Sequence, residues 1–103
     1  MLEDREKRTM QFLVVAHDGA DDGAPARRAA VRDAHIDGAK AMAQSGAMIC
    51  GGALLGEGGA MIGSACIVEF EDRAALDAWL ADDPYVTGGV WQDIEVTPFR
   101  RAV

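Results

Sequence analysis

"MICGGALLGEGGAMIGSACIVEF", residues 48–70, is the stretch that decides the fold. Two apolar runs, "MICGGALL" and "AMIGSACIVEF", flank the tetrapeptide "GEGG" at residues 56–59. Short runs rich in Ile, Val and Phe joined by glycines read as two strands of a hairpin. Working outward, helical signals lie on both sides. Upstream, Pro25 suits the first turn of a helix, and Asp21 and Asp22 lie just ahead to complement its positive end. That helix runs to about Ser45, where Gly46 stops it. Downstream, Asp72 caps a second helix, "RAALDAWLAD", with Leu76, Trp79 and Leu80 on one face. Pro84 ends it, and "YVTGG", residues 85–89, reads as a loop. The outermost segments, "MQFLVVAH" (10–17) and "VWQDIEVTPF" (90–99), are strands. The order βαββαβ predicts a ferredoxin-like α+β fold: a four-stranded antiparallel sheet with both helices on one face.

The totals narrow the function. A chain of 103 residues is expected to form one domain, residues 10–103, after a short charged lead-in at 1–9. The opening "MLEDREKR" lacks the apolar centre of a signal peptide. No window holds enough consecutive apolar residues for a membrane span. A net charge of −7 and a pI of about 4.6 argue against nucleic acid and against anionic membrane surfaces as partners. Cys50 and Cys66 each lie in an apolar run with no paired ligands nearby, so both read as small buried hydrophobes in a reducing cytoplasm, not a zinc site. Neither "GEGG" nor "DGADDG" has the pattern of a phosphate loop, and no cofactor motif is present.

Two helices cover only one face of such a sheet. "FLVVA" and "ACIV" are nevertheless apolar at every position, and Trp91 stands opposite Val90, Ile94 and Val96 in strand parity. A second copy of the sheet is the simplest cover, so a homodimer packed sheet to sheet is expected. Trp91 and the outward residues of the first strand are assigned to that interface.

One of the chain's two histidines raises the functional question. In "RDAHIDGAKAM", residues 32–42, His35 falls on an apparent inward stripe with Val31, Ala34, Gly38 and Met42. A lone core-facing histidine is most often bonded to a backbone carbonyl. A chemical role needs a carboxylate to orient the ring. Asp33 and Asp37 lie on other faces of the helix. "ADDPYVTGG" supplies Asp82 and Asp83, and Pro84 forces residue 83 out of helical geometry. The helix dipole disfavours an acid at that end, a hint of another task. His17 reads as a turn residue and Ser64 as a strand hydroxyl or a spacer. Gly51 and Gly52 allow a bulge or a close backbone approach. Arg27, Arg28 and Arg32 read as the solvated start of the helix, although Arg32, one turn before His35, is placed to reach an anionic ligand.

The run "RDAHI", the "GG" after the second strand, "IGSACIVEF" and above all "ADDPYVTGGVWQDIEVTPF" resemble the YCII-related (YciI-like) family, over Met10 to Arg101. The resemblance implies a dimeric α+β barrel with a site made by His35 and Asp83. Some relatives act on ring compounds, including dehydrochlorination of a chlorinated hydroxyhydroquinone. This chain carries Asp33 where the family commonly has proline. Around the His35–Asp83 pair, Arg32, Ser64 and Tyr85 are the expected substrate-binding residues. Without metal or nucleophile, such a pair supports proton transfer, as in an isomerase or lyase. A non-catalytic small-molecule-binding, accessory or sensor module is the alternative, because a fold of this kind hosts many functions.

Overall fold

Strand β1 (Met10–Asp18) alternates in burial. Phe12, Val14 and Ala16 are fully buried on one side, while Leu13 and Val15 are half-buried on the other. The computed structural model describes residues 10–103, so the lead-in expected at 1–9 lies outside the described residues. β1 pairs antiparallel with β3 (Met61–Phe70) on one edge and with β4 (Trp91–Phe99) on the other. β2 (Met48–Leu55) pairs with β3, giving the order β2-β3-β1-β4. The β2–β3 connection turns through Gly58 and Gly59, whose φ angles of 70° and 82° suit glycine.

Both long helices lie on the Phe12–Val14 side. Helix α1 (Ala24–Ser45) has Pro25 in its first turn and ends on Gly46 in the left-handed conformation. Helix α2 (Arg73–Asp82) is capped by Asp72, whose side chain accepts from the Ala75 amide at 2.8 Å. Leu76 from α2 meets Phe12, Val14 and Val68 in one core cluster, with Met42, Trp79 and Leu80 packed around it. Ala16, Tyr85, Val90 and Trp91 form a second cluster. Leu80 and Ile94 pack against both. This is the ferredoxin-like arrangement. No helix among the described residues is long and apolar enough to cross a membrane.

Four expectations are corrected. The expected loop at 85–89 is helical over 85–87: Pro84–Thr87 forms a one-turn helix, α3, because Pro84 supplies its first position and Asp83 caps it. The inward stripe of α1 runs through Arg28, Val31, His35, Ala39 and Met42; Ala34 and Gly38 are exposed, one position off that row. Trp91 does not face outward. The β1–β4 register shifts between His17 and Asp18, which pair with Asp93 and Trp91, so Gln92 is an extra residue. The bulge reverses parity and turns Trp91 into the helix-side core. The outer side of β4 is therefore Asp93, Glu95 and Thr97, and the outward apolar strip is confined to Leu13, Val15, Ala65 and Ile67 with their β2 neighbours. Finally, Cys50 is exposed, because β2 is an edge strand, whereas Cys66 is buried on the central β3.

Candidate active site

The sequence "DDPY" places two groups at once. Pro84 holds Asp83 in an extended conformation at φ −67° and ψ 134°, between the end of α2 and the start of α3. The Asp83 carboxylate accepts the Tyr85 amide through Oδ2 at 3.0 Å, a capping bond that removes the electrostatic objection to an acid here. The same oxygen lies 2.8 Å from His35 Nδ1 on α1. An ionised carboxylate only accepts, so a neutral ring facing it donates from Nδ1 and keeps its lone pair on Nε2. Among the described residues, no protein group bonds Nε2. Asp83 is 7% and the His35 side chain 12% exposed.

The His35 ring is held on further sides. Tyr85 stacks on it at 3.7 Å between centroids with an interplanar angle of 12°. Trp91, delivered by the β4 bulge, meets its edge at 5.4 Å. Ser64 on β3 accepts from Trp91 Nε1 and from Arg28 Nη2, both at 3.2 Å. Arg28 is not solvated, as its place near the helix start suggested. It is 6% exposed, and Nη1 bonds both oxygens of Asp18 at 2.9 and 3.0 Å. Its guanidinium sits 4.8 Å over the Tyr85 ring. Burial raises the Tyr85 phenol above its ordinary value, against the opposing pull of Arg28 and Arg32, so the hydroxyl stays neutral.

These residues border a cavity of about 390 Å³ between α1 and the β2–β3 half of the sheet. His35, Arg32, Ser64 and Tyr85 all line it, so the expected site residues come together there, with Asp83 bonded from behind. Met48, Met61 and Trp79 supply apolar wall. Gly51 lets β2 approach, since a Cβ there would lie 3.1 Å from Cys66 Cβ. Cys66 also borders the cavity, and burial pushes its thiol up to about 12, which keeps it an inert wall. Asp82 is exposed and takes no part. His17 faces the other side of the sheet, paired in register with Gly63 and Asp93. No group of side chains suited to a metal occurs among the described residues.

Sequence reasoning missed Arg28, Asp18, Trp91 and Lys40. Arg28 was findable, since it stands seven residues before His35 on the same helical row. Asp18 and Trp91 were not, because their placement depends on a register shift between strands.

A ferredoxin-like sheet bearing a buried histidine–aspartate pair beside an open cavity defines the class. A sequence model of the YCII-related domain matches residues 10–100, and the chain belongs to that family. The protein YciI of Escherichia coli is 33% identical over 98 residues, covering 89% of this chain and 98% of that protein. YciI of Shigella flexneri gives the same figures: 33% over 98 residues, 89% and 98%. Among solved structures, the fold is similar to that of 5-chloro-2-hydroxyhydroquinone dehydrochlorinase from Burkholderia phenoliruptrix, in complex with 2,5-dihydroxybenzoquinone. The TM-score is 0.79 at 23% identity, over 90% of this chain and 96% of that one. A dimeric ferredoxin-like protein of unknown function from a Jannaschia species matches with a TM-score of 0.50 at 19% identity, over 89% and 99%.

The buried Arg28–Asp18 pair generates a prediction. Asp18→Asn leaves the guanidinium uncompensated, and unfolding in urea is expected to show a loss of about 3–5 kcal/mol. A loss under about 1 kcal/mol would mean that the pair does not anchor the site.

Proposed function

We propose that the chain is a metal-independent proton-transfer enzyme, an isomerase or lyase acting on a small ring metabolite, with His35 as general base and Asp83 as its orienting partner. The observation that carries this reading is the 2.8 Å contact between His35 Nδ1 and Asp83 Oδ2 at the wall of a cavity. Nε2 takes a proton from an acidic O–H or C–H of the substrate, and the carboxylate holds the imidazolium that forms. Returning the proton to another atom completes an isomerisation. Departure of a leaving group with its electron pair completes an elimination. Ser64 and Tyr85 position the substrate, and Arg32 stands at its edge. The likeness to a dehydrochlorinase supports elimination as the first activity to assay.

A non-catalytic binding or accessory module uses the same cavity without turnover. The two readings separate in a double-mutant cycle, with chloride release from 5-chloro-2-hydroxyhydroquinone as the first readout and ligand binding as the second. In the enzyme, His35→Ala and Asp83→Asn each lower the rate by about 10²–10⁴-fold, and the double variant loses little more. Stability falls by only about 1–3 kcal/mol for a lost buried hydrogen bond. Additive effects on rate, or binding that persists with no turnover of any ring substrate offered, would contradict the catalytic reading.

The same proposal includes a cytoplasmic homodimer, formed by a second copy on the outer face of the sheet. Its contact is Leu13, Val15, Ala65 and Ile67, not Trp91. These residues form an apolar strip that no helix among the described residues covers, and a structural neighbour is dimeric. Light scattering is expected to give the mass of two chains, and Leu13→Asp the mass of one. A one-chain mass for the parent protein at micromolar concentration would exclude this assembly.

A further inference from the structure

The charges around the cavity run against those of the chain as a whole. The protein carries a net charge of −7, yet among the described residues no Asp or Glu lines the cavity, while Arg28, Arg32 and Lys40 all do. Arg28 is already neutralised by Asp18. Arg32 and Lys40 are not: among the described residues neither has an acidic partner within ion-pair distance. Other helix cations find one, Arg27 with Asp21 and Arg73 with Asp77. Lys40 even has Asp37 one turn away and leaves it unpaired.

Helix geometry lets both face one cavity. Arg32, Ile36 and Lys40 are spaced by four residues and share one row of α1, with His35 on the adjoining row. The two cations are about 12 Å apart along the axis, and each side chain is long enough to lean toward the middle. A second group points the same way. Ser64 is 8% exposed, and its hydroxyl oxygen accepts from two donors that cannot accept in return, Arg28 and Trp91. No acceptor for the Ser64 proton is present among the described residues, so that proton is free for an oxygen in the cavity.

Resting on the pocket reading above, we infer that the cavity selects small ring compounds bearing an oxyanion, either a carboxylate or an ionised ring hydroxyl, and that Arg32 and Lys40 make the selection. The volume of about 390 Å³ and the Met48, Met61 and Trp79 walls suit a single planar ring. Charge-assisted bonds at a partly desolvated rim are stronger than neutral ones, and they also steer anions toward a protein that otherwise repels them.

The test is calorimetric binding of three probes at neutral pH. Salicylate carries a carboxylate, 2,5-dihydroxybenzoquinone carries an ionised ring hydroxyl, and salicyl alcohol is the neutral counterpart of salicylate. At least one anion is expected to bind about tenfold or more tighter than salicyl alcohol, with the advantage shrinking as salt rises. Which anion binds tells the two chemistries apart. The double variant Arg32→Gln/Lys40→Gln removes the preference, so that the anions bind it no tighter than salicyl alcohol does. Arg73→Gln, which deletes a cation remote from the cavity, keeps it. The preference survives in His35→Ala, so failure of the proton-transfer reading and failure of this one are read separately. Equal affinity for the neutral and charged probes, no binding of either anion at millimolar concentration, or a preference retained in the double variant overturns the inference.

Discussion

One carboxylate oxygen joins helix α1 to the start of α3. Asp83 Oδ2 caps α3 through the Tyr85 amide and holds the His35 ring of α1. The cap fixes where Tyr85 goes, and Tyr85 in turn stacks on the imidazole that the same oxygen bonds. Three short-range constraints therefore converge on one ring: a hydrogen bond, a parallel stack and the edge of Trp91. Each depends on a local backbone feature, the proline after Asp83 or the bulge in β4. An Asp→Ala change at this point would loosen a helix start, an aromatic stack and the histidine together, which is why its effects are not separable into structure and chemistry by a single substitution.

Behind this pair lies a buried polar layer that a small domain would not keep for stability alone. Enclosing Arg28 and Asp18 costs desolvation that an apolar pair of equal volume avoids. The pair instead positions other groups. Arg28 donates to Ser64 and lies over Tyr85, so the charge is passed on as the orientation of two cavity residues. The layer also separates the cations by role. A neutralised Arg28 is scaffold, while Arg32 and Lys40 keep their charge at the rim.

Much of the architecture was legible because it rests on local signals. The hairpin glycines, the Asp72 cap and the Gly46 stop each speak for themselves within a few residues. His35 and Asp83 are 48 residues apart, and local pattern alone only nominated them. Their pairing was anticipated through the family resemblance, not through spacing. What the sequence concealed was set by non-local geometry. A single extra residue, Gln92, inverts the side to which Trp91 belongs, and parity counting has no access to it. Arg28 looked solvated because its partner lies at the end of a different element. The stripe of α1 was misplaced by one residue because that face borders a cavity, where Arg28, His35 and Ala39 replace the large apolar residues that normally mark a core.

Asp83 is expected to fix His35 as the tautomer with its proton on Nδ1, leaving Nε2 as the base. Nitrogen NMR of protein carrying isotopically labelled histidine, recorded at a pH where the ring is neutral, reads this directly. His35 is expected to show a protonated Nδ1 and a bare Nε2, and Asp83→Asn to perturb this assignment. A neutral His35 with its proton on Nε2 in the parent protein would contradict it.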